Sequence, residues 1–127
     1  MIDQAGRERP RVLVVEDDDG LRGVMASCLS RAGFAVSSVA TGADAVAAAR
    51  AVKPDAMVID ILLPDAGGLG VARELSRERE LGSVPVLFTT ALSSPAVRTL
   101  LASEQVLFKP FSKRQLLSWV REATRAA

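Results

Sequence analysis

The sequence predicts an α/β domain built on a parallel sheet, and three observations predict it. Short apolar, β-branched runs recur along the chain, segments with helical apolar spacing separate them, and several runs stop abruptly at an acidic, hydroxyl or lysine residue. Strands that alternate with helices form parallel βαβ units with right-handed crossovers, and those crossovers cover both faces of the sheet.

Val12-Leu13-Val14-Val15 has the continuous apolar pattern of a strand buried on both faces, and it ends at Glu16-Asp17-Asp18-Asp19. Leu21, Val24, Met25, Cys28, Leu29 and Ala32 then recur at helical spacing, with Asp18 or Asp19 as N-cap and Gly33 as the stop. Ala35 to Val39 suits a second strand. Thr41-Gly42 turns into an alanine-rich helix, Ala43 to Val52, which ends before Lys53-Pro54. Ala56-Met57-Val58-Ile59 forms a third strand delivering Asp60 to its end, before a loop punctuated by Pro64, Gly67 and Gly68. Leu69 to Glu80 reads as a third helix with a charged outer face. Pro85 to Phe88 reads as a fourth strand running into Thr89-Thr90. Pro95 to Ser103 is a short helix and Val106-Leu107-Phe108 a fifth strand. Leu116, Trp119, Val120 and Ala123 stripe a last amphipathic helix.

Composition narrows the chemistry. With 127 residues the chain suits one domain, and 49% hydrophobic with 24% charged residues is a globular balance. Sixteen basic against fifteen acidic residues exert no general pull on nucleic acid or anionic membrane. One cysteine, Cys28, excludes an internal disulfide, and the absence of histidine removes the commonest metal ligand and general base. Residues 1–10 are expected to form a flexible N-terminal arm ahead of a domain over 11–127. They lack the apolar run of a signal peptide, and no stretch approaches the roughly 18 apolar residues of a membrane span, so the expected location is cytoplasmic.

In an open α/β sheet, ligands bind outside the carboxyl ends of the strands. That edge is expected to collect Glu16, Asp17, Asp60, Thr90 and Lys109. Clustered carboxylates resist ionisation unless a cation holds them together, and oxygen-only ligands with room for water favour Mg²⁺. Such a cation screens an aspartate from an incoming phosphoryl dianion, while Lys109 and the Thr90 hydroxyl hold the phosphoryl oxygens.

Four segments carry a family resemblance: Val14-Val15-Glu16-Asp17-Asp18, Asp60-Ile-Leu-Leu-Pro64, Pro85-Val-Leu-Phe-Thr-Thr90-Ala91 and Lys109-Pro110-Phe111. In this order, each at a strand end, they resemble the receiver domain of bacterial response regulators over roughly residues 11–126. The resemblance implies a flavodoxin-like, doubly wound five-stranded sheet of order 2-1-3-4-5 with five helices, the order of a chemotaxis receiver. It implies phosphorylation of Asp60 by a histidine kinase or phosphotransfer protein. Mg²⁺ or Mn²⁺ would be held by Glu16, Asp17, Asp60 and the Leu62 backbone carbonyl, with Lys109 paired to the phosphoryl group. It also implies a cis Lys109–Pro110 bond, a downstream protein target and, as a further option, a homodimer. The domain is then a switch that accepts a phosphoryl group and later loses it to water, and not an enzyme.

Ordinary roles compete with these. Asp18 or Asp19 is the better candidate for a helix cap than for a ligand, and Asp65, beyond Pro64 in a glycine-bearing loop, fits a turn better than a fourth ligand. Thr89 and Thr90 point to opposite faces, and the motif spacing selects Thr90. Cys28 and Trp119 fall on buried helical stripes and fit core packing. The chain also departs from the family. Val106 stands where an aromatic switch residue is usual. The segment between Ala91 and Lys109 is a few residues short, and Ala102-Ser103-Glu104-Gln105 replaces a glycine-alanine turn, so a truncated fourth helix is expected. Two alternatives therefore stand beside the phosphoacceptor: a phosphorylation-independent interaction domain that has kept the fold, and an aspartate-nucleophile phosphatase. A stand-alone receiver without an effector domain is expected unless the chain is a fragment of a longer regulator.

Overall fold

In the computed structural model, residue 6 and residues 8–125 are described. Ten elements alternate: β1 (Arg11–Val15), α1 (Asp19–Arg31), β2 (Ala35–Val39), α2 (Gly42–Val52), β3 (Ala56–Asp60), α3 (Gly68–Ser76), β4 (Val86–Thr90), α4 (Pro95–Leu100), β5 (Val106–Phe108) and α5 (Lys113–Arg125). Every neighbouring pair of strands is parallel, in the order β2-β1-β3-β4-β5. Fold class and strand order are those expected. Part of the expected N-terminal arm, residues 1–5 and 7, and the last two residues lie outside the described set. Pro10 is joined to the sheet, accepting a hydrogen bond from the Ala35 amide at 2.9 Å.

The continuous apolar runs occupy the sheet centre, where both faces are covered. Side chains of Leu13, Val15, Met57, Ile59 and Phe88 pack with Ala45 and Ala49 of α2 and Val71 and Leu75 of α3. Their alternates Val12, Val14, Val58 and Leu87 pack with Met25 and Leu29 of α1 and Leu116 and Val120 of α5. The first helix starts at one of its two expected caps, and the second carries a side-chain cap of the same kind. Asp18 accepts from the Leu21 amide at 2.8 Å and Thr41 from the Asp44 amide at 3.1 Å.

Three expectations need correction. The third helix, expected to reach Glu80, ends at Ser76, and residues 77–83 form turns. Leu81 is buried in the core with Val71 and Leu75, and a continuing helix would have aimed it well off their stripe. The fourth helix stops at Leu100, not Ser103; it buries no residue, and turns bonded Ala102 to Thr99 and Glu104 to Leu101 lead into β5. Cys28 is only half-buried, because Met25 and Leu29 take the centre of its stripe, whereas Trp119, also half-buried, packs against the core as expected. Among the described residues, no helix is long and apolar enough to cross a membrane.

Candidate functional site

Parallel registers bring the carboxyl ends of four strands to one edge. Val15 pairs with Ile59, so Glu16 emerges beside Asp60 at the end of β3. Asp60 pairs with Thr89, and Thr90 with Phe108, which is followed by Lys109. The Lys109 amide donates to the Thr90 carbonyl at 2.8 Å, and Lys109–Pro110 is cis.

The charges converge there. Glu16 and Asp60 are 1% and 3% exposed, whereas Asp17 is exposed. Carboxylate oxygens of Glu16, Asp17 and Asp60 lie within 4.8 Å of one another. The Lys109 ammonium is 2.8 Å from Asp60 Oδ2 and 2.8 Å from Glu16 Oε1. Burial raises the pKa of Glu16, outweighing the ion pair with Lys109 that opposes the rise. Burial also works against the charged form of Lys109, but its contacts with Asp60 and Glu16 prevail and hold its pKa above the ordinary range.

Three carboxylates against one ammonium leave the pocket net negative, and its donors are all oxygen. Glu16 Oε1 is a buried oxygen with no aligned hydrogen-bond donor, although the Lys109 ammonium lies within ion-pair range. A partly exposed carboxylate beside two buried ones leaves a side open to water. These residues fit a hard divalent cation that keeps part of its hydration shell.

Neighbouring side-chain and backbone donors hold Glu16 and Asp60 in place. Arg22 donates to the Glu16 carbonyl at 2.9 Å, and the Asp18 amide donates to Glu16 Oε2 at 3.1 Å. The Leu62 amide donates to Asp60 Oδ1 at 3.0 Å, which sets this residue beside the Asp60 carboxylate. Gly68 is required by close approach, since a side-chain carbon there would run into the Asp60 carbonyl. Its amide donates to the Ile61 carbonyl at 2.8 Å and closes the loop after β3.

Thr90 is fully buried, and its hydroxyl accepts from the Leu92 amide at 3.1 Å. Thr89 is also buried, but its hydroxyl has no hydrogen-bond partner among the described residues. Val106 is half-buried against the core beside Phe88. Besides the Arg22 contact with the Glu16 carbonyl, two residues here make contacts that were not read from the sequence. The Arg98 guanidinium lies 4.0 Å over the Phe108 ring and its Nε donates to the Ser93 carbonyl at 3.1 Å. Asp65 takes no part in the acidic group; its carboxylate accepts from the Gly42 and Ala43 amides at 2.9 and 3.0 Å. Both link residues on different elements, where periodicity along one element carries no signal.

Fold and pocket together define a doubly wound α/β domain with an acidic, lysine-bridged site at its carboxyl edge. The family model for the response regulator receiver domain matches residues 12–121, and the chain belongs to that family. Its members are signalling switches of two-component systems. Among curated relatives, the transcriptional regulatory protein GltR of Pseudomonas aeruginosa is 35% identical over 119 residues, covering 91% of this chain and 49% of that protein. CreB of Escherichia coli is 34% identical over 121 residues, covering 93% and 52%. The chain thus spans about half the length of the curated relatives it matches. The receiver domain of sensor histidine kinase PA1611 from Pseudomonas aeruginosa, solved with a magnesium ion coordinated in its active-site cleft, is 28% identical. It superposes with a TM-score of 0.81, covering 93% of this chain and 99% of that one. CheY4 of Vibrio cholerae, at 24% identity and a TM-score of 0.83 over 91% of this chain and 99% of that one, shares the fold.

Proposed function

We propose that Asp60 is the phosphoacceptor of a two-component relay and that its phosphorylation changes which proteins this domain binds. The observation that carries the reading is the Lys109 ammonium, 2.8 Å from both Asp60 and Glu16, inside a three-carboxylate group at the sheet edge. An Asp60 carboxylate oxygen forms a bond to the phosphorus of a phosphohistidine while the phosphorus–nitrogen bond breaks. The imidazole leaves with the bonding pair and takes up a proton, and Asp60 becomes an acyl phosphate. Later, water attacks the phosphorus, the bond to Asp60 breaks, and the carboxylate returns with release of inorganic phosphate.

Glu16, Asp17 and Asp60, with the Leu62 backbone carbonyl, would hold Mg²⁺ or Mn²⁺, which would supply neutralisation of charge on the phosphoryl oxygens. Lys109 gives up its contact with Asp60 Oδ2 to pair with the phosphoryl group. The Thr90 hydroxyl, bonded to the Leu92 amide, turns its proton toward another phosphoryl oxygen. The switch is read through the β4–α4–β5 region, where Thr90 pairs with Phe108, Arg98 lies over the Phe108 ring, and Val106 pairs with Phe88. The domain works in the cytoplasm, its donor is a histidine kinase or phosphotransfer protein, and the output is a protein contact.

Beryllofluoride, a phosphoryl mimic, tests this by fluorine NMR. Wild type should give bound beryllofluoride resonances only when Mg²⁺ is present, and Asp60→Asn should give none. Bound signal in the variant, or signal independent of Mg²⁺, would refute the assignment.

A further inference from the structure

Asp65 lies outside the acidic pocket, yet it fastens the loop that carries Leu62. Asp65 Oδ1 accepts from the Gly42 amide at 2.9 Å and Oδ2 from the Ala43 amide at 3.0 Å, contacts that join positions 23 and 22 residues apart. These are first-turn amides of α2, which lack partners within the helix. The helix has its own cap as well, Thr41, which serves the Asp44 amide. Asp65 therefore adds a connection between two elements to a helix end already capped.

A second observation shows the same seating from the opposite side. A side-chain carbon on Gly42 would lie 2.8 Å from Ala66 Cβ and 3.0 Å from Val71 Cγ2, so the loop rests directly on the first turn of α2. The remaining anchors of the loop are its two ends and the apolar side chains of Ile61 and Leu63, which pack into the core. The Ile61 amide donates to the Thr89 carbonyl at 2.9 Å, Gly68 closes on Ile61, and Leu63 is buried in the core. Leu62, 51% exposed, sits between these anchors with its amide on Asp60 Oδ1.

We infer that Asp65 is a positioning residue for the cation site, holding the Leu62 backbone in ligand geometry by fastening its loop to the start of α2. This rests on the reading of the pocket as a cation site. Mg²⁺ demands near-ideal octahedral geometry, so a backbone ligand on a loosened loop binds it poorly. Residues that orient ligands from behind typically change metal affinity by about 10-fold or more when removed. The two backbone hydrogen bonds also lower the Asp65 pKa, so the carboxylate stays ionised for this task.

The test is calorimetric titration of the full 127-residue chain with Mg²⁺ alone, with folding of each variant checked by thermal melting. Asp65→Ala should weaken Mg²⁺ binding about 10-fold. Gly42→Ala, which displaces the loop from the other side, should weaken it similarly. Asp65→Asn keeps an acceptor oxygen and should recover most of the affinity. Thr41→Ala removes a cap from the same helix without touching the loop and should bind Mg²⁺ as wild type does. In metal-free protein, Asp65→Ala should speed hydrogen exchange at the Leu62 amide, a change Thr41→Ala should not cause. Unchanged affinity in Asp65→Ala, or an equal loss in Thr41→Ala, would overturn the positioning role. Equal losses in the Asn and Ala variants would overturn it too, in favour of a long-range charge effect. Failure of wild type itself to bind Mg²⁺ would instead strike the cation-site reading, and the positioning role would fall with it.

Discussion

Glu16 brings a carboxylate into the interior with 1% of its surface exposed and a second carboxylate nearby. Burial raises its pKa from an ordinary 4.5, so between 4.5 and the raised value the native state keeps a proton that the unfolded chain has released. The stability this group contributes is thus fully present below pH 4.5 and is lost as pH rises through the native value. Metal-free Glu16→Gln should therefore be more stable than wild type at neutral pH, by on the order of 1 kcal/mol, while Lys109 keeps Asp60 as its partner. In thermal melts that is a rise of a few degrees at pH 7 which disappears near pH 4. Equal stability of the two proteins at pH 7, or a less stable variant, would show that the ion pair with Lys109 outweighs the burial of Glu16.

At the scale of elements, α4 is the outlier. It has six residues, buries none of them, and leaves Leu100 79% exposed, whereas α1 and α5 each run 13 residues and drive Leu29 and Leu116 fully into the core. Leu100→Ser should change stability by less than about 0.5 kcal/mol. Leu116→Ala should cost about 2–5 kcal/mol, and denaturant melts of the two variants will separate these cases. A large loss at Leu100 would mean that α4 is packed more firmly than its exposure allows. The short helix was legible in advance from the compressed segment between Ala91 and Lys109, and β1 and β3 from their unbroken apolar runs. The end of α3 was not legible. The charged run Arg77 to Glu80 continues a helical pattern locally, and only the distant requirement to bury Leu81 unwinds it.

Across the whole molecule, parallel pairing gathers four separate strand ends at one pocket, and this is why the convergence of these side chains is legible in the strand pattern. Glu16, Asp60 and Lys109 each follow an apolar strand, so once the sheet order is 2-1-3-4-5 their meeting follows from register alone. What register does not encode was missed: the tie from Asp65 to α2, the clasp of Arg22 on the Glu16 carbonyl, and Arg98 over Phe108. Each depends on where a side chain from one element or loop reaches in three dimensions. The absence of an aromatic at Val106 was plain from the sequence, but the Arg98 contact beside it was not. The central claim, that this pocket makes Asp60 chemically able to accept phosphorus, is tested most directly by intact-mass analysis after incubation with Mg²⁺ and acetyl phosphate. Wild type should gain the mass of one labile phosphoryl group and Asp60→Ala none; an unmodified wild type, or an adduct equally present in the variant, would contradict it.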